Sequence, residues 1–134
     1  MRNTEFKIYQ AATTDVDDYI INLYGHGSVA HHRRKLDLTI SGDTMNADDW
    51  KIMKASDYTL VANTYLDWSQ MGIDQALEII FGSGNSHERE KYFNIQAPMY
   101  SISTGDIIEA DGKFYGVANY GWVEVTDKIQ GLAS

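Results

Sequence analysis

The chain has 134 residues, 43% hydrophobic and 22% charged, with 19 acidic side chains against 11 basic ones and a formal charge of −8. That apolar content can build one packed domain and is too high for a disordered chain, while the acidity argues against direct binding to a nucleic-acid backbone and favours basic protein partners. There is no cysteine, which excludes disulfides and thiolate metal sites, and no stretch reads as a signal peptide or membrane span, so the cytoplasm is the expected compartment.

Glu5 to Gln10 alternates polar with apolar residues, which predicts a first strand with Phe6, Ile8 and Gln10 on one face and Tyr9 on the other. Thr13, Thr14 and Asp15 are helix-capping types, and Asp17 and Asp18 suit the positive end of a helix dipole. Val16, Tyr19, Ile20 and Leu23 then share one helical face, and Gly25 and Gly27 end the helix. Ser28 to Lys35 holds the one concentrated run of positive charge and reads as a solvated basic loop. Leu36, Leu38 and Ile40 alternate with Asp37, Thr39 and Ser41, which predicts a strand with one wet face.

Asn46, with Asp48 and Asp49 behind it, predicts a short helix carrying Trp50 and Met53 on one face. Tyr58 to Tyr65 is nearly continuous in apolar character and is expected to be a central strand. Ile73, Ala76, Leu77, Ile80 and Phe81 have the spacing of an amphipathic helix, ended by Gly82 and followed by a polar loop through Lys91. From Met99 to Val125 three β-branched and aromatic runs are separated by Thr104-Gly105-Asp106 and Ala110-Asp111-Gly112-Lys113, the pattern of strands joined by tight turns. The order predicts one α+β domain over residues 1–134, a mainly antiparallel sheet with two or three helices packed on it, whose strand-rich unit spans 99–125.

Five groups of residues could carry chemistry or binding. Gly25-x-Gly27-x-x-Ala30 has the spacing of a dinucleotide fingerprint, but it follows a helical rather than a strand period, so a glycine stop and turn is the favoured reading. His26, His31 and His32 lie close in sequence, yet none is at the i, i+4 spacing of a zinc helix, and Arg33, Arg34 and Lys35 beside them would repel a cation. A metal-dependent hydrolase built on these histidines is the third reading. No metal or cofactor is expected.

Gly25, Gly27, His31, His32, Arg33, Arg34 and Lys35 together form a candidate phosphate or small-ligand loop, which supports a nucleotide-binding reading as the second. Tyr115, Tyr120 and Trp122 could form an aromatic contact face, since tyrosine and tryptophan dominate interface hot spots. The paired acids Asp17/Asp18 and Asp48/Asp49 fit helix starts better than general acid–base pairs. No nucleophile, base and oxyanion hole assemble along the sequence.

The stretch Tyr100-Ser-Ile-Ser-Thr-Gly-Asp-Ile-Ile108, then Asp111-Gly-Lys-Phe-Tyr115 and Gly121-Trp122, resembles the C-terminal signature of the YodL-like family. Phe6 to Gln10 is similar to that family's first strand, and Asp57 to Val61 to its middle. The resemblance implies a short accessory protein of phages, plasmids or bacteria, and it brings no catalytic residues. Taken with the acidity and the terminal aromatics, the leading expectation is a non-enzymatic protein that binds a host or phage protein with a basic surface. Inhibition of a host defence or DNA-processing factor is one such role, and the composition is also compatible with a homo-oligomer.

Overall fold

Residues 3–132 are described by the computed structural model. The alternation seen at the start of the chain makes β1 (Asn3–Gln10), which buries Thr4, Phe6, Ile8 and Gln10 along one face. It pairs antiparallel with β2 (Thr59–Asp67) on one side and with β4 (Ile107–Ala110) on the other. A two-residue strand, β3 (Asn94–Ile95), covers the outer side of β2, and β5 (Lys113–Val117) and β6 (Trp122–Glu124) extend the sheet beyond β4. The order is β3-β2-β1-β4-β5-β6, all neighbours antiparallel, as expected for an α+β fold. The Asp-Gly turn closes the β4–β5 hairpin as its sequence dictates, with Asp111 at φ 53 and Gly112 at φ 76, the paired left-handed conformation that a two-residue hairpin loop requires.

Each face of the sheet carries its own core. On one face α3 (Ile73–Gly84) lays Ala76, Leu77 and Ile80 against Phe6, Ile8, Ala62 and Ile108. Between Ile8 and Tyr9 the register with β2 slips by one residue, and the bulge lets Val61 and Ala62 both enter this core. α3 runs two residues past the expected stop at Gly82, and at Gly84 it passes so close to Ile102 that a Cβ there would lie 2.4 Å from Cδ1. The Asn85 amide then clasps the Ile102 backbone, accepting from its N at 2.6 Å and donating to its O at 3.2 Å.

On the opposite face a 3-10 turn (Ala47–Ile52), capped by the Asn46 side chain, buries Trp50 and Met53 with Leu38, Ile107, Phe114 and Val125. Trp50 donates from Nε1 to Thr44 O at 2.9 Å, and its ring lies over Gly116, where a Cβ would come within 2.5 Å of ring carbons.

Two expectations are corrected. Ser28 to Lys35 is not a loop: Ala30–Leu36 forms a helix, α2, and Leu36–Ile40 is not a strand but its continuation into a wider, π-type turn over Asp37–Ser41. Alanine, arginine, lysine and leucine are strong helix formers, and the helix they start carries through the alternating residues. Only Leu38 of the three apolar residues is fully buried, while Ile40 is 74% exposed. The sixth strand is instead the short β3. β2 lies inside the sheet as expected, paired along its length with β1 and at Ala62 and Asn63 with β3.

Candidate functional site

α1 (Asp15–Tyr24) starts where the sequence places it. Thr14 and Asp17 form a capping box, with Asp17 N donating to Thr14 Oγ1 at 3.1 Å and Thr14 N to Asp17 Oδ2 at 3.0 Å. Gly25 ends the helix at φ 96, a backbone state that glycine adopts without strain. The apolar stripe, however, does not face the core, and none of the ten residues of α1 is buried. Val16, Tyr19, Leu23 and Tyr24 are 56–75% exposed. The half-buried residues of the helix are Asp17, Ile20 and Ile21, so the stripe is wider than the contact with the body and its outer edge is left open.

The basic run on α2 is divided by what each side chain meets. Arg34 makes a two-point pair with Asp57, Nε donating to Oδ2 at 2.9 Å and Nη2 to Oδ1. The Asp57 carboxylate is almost fully buried and also accepts from Lys54 N at 2.8 Å. Burial pushes the Asp57 carboxyl up, but the Arg34 guanidinium and the Lys54 amide outweigh it and hold it below the usual carboxylate range. Lys35 reaches Asp106, with Nζ 3.6 Å from Oδ1. Asp106 is buried; its Oδ2 accepts from Ser103 N at 2.9 Å and Gln10 Nε2 at 3.1 Å, while Oδ1 has no hydrogen bond. Burial raises its affinity for a proton, and Lys35, the Ser103 amide and Gln10 offset this in part. Arg33 alone of the three cations points away, exposed near Gly27.

The histidines divide as well. His31 Nε2 lies 3.4 Å from Asp17 Oδ2, tying α2 to the start of α1. His26 Nδ1 and His32 Nε2 meet at 3.2 Å with their rings 5.4 Å apart, which joins the two ends of the α1–α2 connection. Three histidines therefore do not converge on one point, and among the described residues no group of three His, Asp or Glu has metal-site geometry. Burial, with the charges of His26, His31 and Lys35, lowers the proton affinity of His32, and Asp18 opposes this. A histidine so lowered favours the native state while neutral, so its contribution is complete above the ordinary value of 6.5 and declines as pH falls through it. NMR amide-exchange protection of residues 15–36, corrected for the intrinsic pH effect, is expected to decline between about pH 7.5 and 5.5, and His32→Gln to remove most of that slope.

Tyr115, Tyr120 and Trp122 do not form one face. Tyr115 and Trp122 are partly buried against the α3 core, with Trp122 edge-on to Phe81 at 5.7 Å between ring centres. Tyr120 stands apart in the β5–β6 turn and is 82% exposed. Gly25 caps α1, and Gly27 sits in a 3-10 turn followed by Val29.

What the sequence did not mark is a cleft of about 390 Å³ between residues 11–13, α2 and Tyr100, with Thr13, Asp18, His32, Lys35 and Thr39 among its lining. Of the candidate phosphate ligands it gathers only His32 and Lys35. Of the two buried acids that fix Arg34 and Lys35, Asp106 reads in sequence as a turn residue and Asp57 carries no mark of its role. A signal was present in Thr104-Gly105-Asp106, since a turn aspartate followed by Ile107-Ile108 is carried straight into a buried strand.

Among the described residues no helix is long and apolar enough to cross a membrane. No family model matches the chain, and neither curated proteins nor solved structures gave a match.

Proposed function

We propose that the protein acts by binding another protein, with the outer face of α1 as its docking surface, and performs no chemistry of its own. The observation that carries this reading is the uncovered apolar stripe of Val16, Tyr19, Leu23 and Tyr24 on a helix whose caps are fully formed. Contiguous exposed apolar residues rimmed by polar ones are characteristic of interaction sites. Asp15, Asp17 and Asp18 rim the N-terminal end of the stripe, and the chain carries a charge of −8. The partner that fits therefore offers an apolar groove edged by lysine or arginine, as on a nucleic-acid-binding surface. The likeness of the C-terminal strands to the YodL-like family supports the setting, an accessory protein of a phage, plasmid or bacterium that occludes a host defence or DNA-processing factor.

The double substitution Tyr19→Ser/Leu23→Ser tests this reading. Both positions are exposed, so stability should change by no more than about 0.5 kcal/mol. Affinity for a basic protein captured by the wild type should fall about 30-fold or more, as for loss of a hot spot, and wild-type binding should weaken with salt. Equal capture of the same proteins by the double variant, or a salt-insensitive complex, refutes the assignment.

A further inference from the structure

We infer that the cleft between residues 11–13, α2 and Tyr100 is a binding site for a small aromatic oxyanion, a phosphate or carboxylate carried on a flat ring, with Lys35 as its charged contact. This site is separate from the outer face of α1 and does not depend on that face having a protein partner. The volume of about 390 Å³ is that of a small-ligand pocket, and the lining combines an apolar wall with a few polar groups. Ala11, Ala12 and Leu36 supply the wall, and the half-exposed ring of Tyr100 supplies a flat surface at the edge.

The polar groups select charge. Asp106 holds the Lys35 ammonium electrostatically at 3.6 Å, too far for a hydrogen bond, and Asp106 Oδ1 remains without one although fully buried. Lys35 lines the cleft, and the N–H groups of Nζ that are not turned to Asp106 remain for whatever occupies it. The stem of Lys35 packs on Gly105, where a Cβ would sit 3.1 Å from Lys35 Cε and 3.2 Å from Thr39 Cγ2. An ammonium on a packed stem loses less entropy on binding than a free surface lysine.

His32 lines the same side, with its Nε2 3.2 Å from His26 Nδ1. The hydroxyls do not compete as donors, since Thr39 donates to Lys35 O at 2.8 Å and Thr13 to Asp18 Oδ1 at 2.6 Å. That second contact also engages the one acid on the cleft wall. An oxyanion would thus meet Lys35, while its ring packs on Tyr100 and the alanines.

The test is an NMR titration of the full chain with phenyl phosphate, benzoate, inorganic phosphate and phenol. Phenyl phosphate or benzoate should give saturable shifts confined to residues 11–13, 32–39 and 100, and whichever binds more tightly identifies the oxyanion. Phenol should not saturate, and inorganic phosphate should bind at least about tenfold more weakly than the ring-bearing anion. Lys35→Gln should weaken the better ligand about tenfold or more. Ala12→Leu fills the cleft without touching the ion pair, so it should abolish binding even if Lys35→Gln fails to fold. Absence of saturable shifts with both aromatic anions up to the order of 10 mM overturns the proposal, as does wild-type affinity in Ala12→Leu.

Discussion

Replacing Trp50 by alanine is expected to cost about 3–5 kcal/mol, a large share of the roughly 5–15 kcal/mol that holds a domain of this kind together. The ring is fully buried and is fixed on two sides. Its Nε1–H donates to Thr44 O, and its face rests on the Gly116 backbone, where even a methyl group would come within 2.5 Å of ring carbons. Thr44 in turn accepts the Asn119 amide at 2.9 Å through Oγ1, so the tryptophan closes a path from the 3-10 turn to the β5–β6 connection. Alanine would remove the ring, leave a cavity between the turn and β5, and strand the Thr44 carbonyl without its donor. Trp50→Phe should fall between, keeping most of the apolar contact but leaving that acceptor unsatisfied at a cost of about 1–3 kcal/mol. Gly116→Val attacks the same contact from the other side and should be as damaging as Trp50→Ala, because a ring held by its own hydrogen bond cannot swing aside. Urea unfolding checks all three, with midpoints moving and slopes unchanged. A loss under about 1 kcal/mol for Trp50→Ala would mean that the ring is not wedged as the Gly116 geometry requires.

The features legible in the sequence are those fixed by neighbours along the chain. β1 is set by a period of two, α1 by its Thr14–Asp17 box and Gly25, α3 by its apolar spacing, and the β4–β5 hairpin by Asp111-Gly112. Misreading begins where a local pattern has two solutions. Leu36, Leu38 and Ile40 alternate, but the same residues continue a helix begun by Ala30 to Lys35, and burial of Leu38 alone satisfies the core. The acids that fix the basic run were not legible for a different reason. Asp57 and Asp106 matter only because folding brings them to Arg34 and Lys35, and no spacing rule reports a partner so far along the chain. The open face of α1 stands between these cases. Periodicity revealed the stripe, but whether anything covers it is a question of packing.

Arg34→Met is expected to cost about 3–5 kcal/mol, the range for breaking a buried ion pair from one side. Arg34 fastens α2 to the turn ahead of β2, and among the described residues its loss leaves the Asp57 carboxylate, 2% exposed, hydrogen-bonded to the Lys54 amide alone. Asp57→Asn should cost less, since the asparagine oxygen can keep that amide and Arg34, 27% exposed, can turn to water. Replacing both residues by apolar ones of similar volume should recover much of the loss, because the desolvation that opposes the pair disappears with it.

The sign of the pH effect separates this pair from the other buried acid. Asp57 has a folded proton affinity below its ordinary value of 3.8, so its contribution is complete above that value and is lost as pH falls through the folded one. Asp106 is shifted the other way, so protonating it in acid adds stability instead. Since Asp106 is common to both proteins, its term cancels in the difference between wild type and Arg34→Met. That difference should be flat near neutral pH and shrink below about pH 4. A difference that stayed constant into acid would show that Arg34 contributes through the packing of its stem rather than through the charge it gives Asp57.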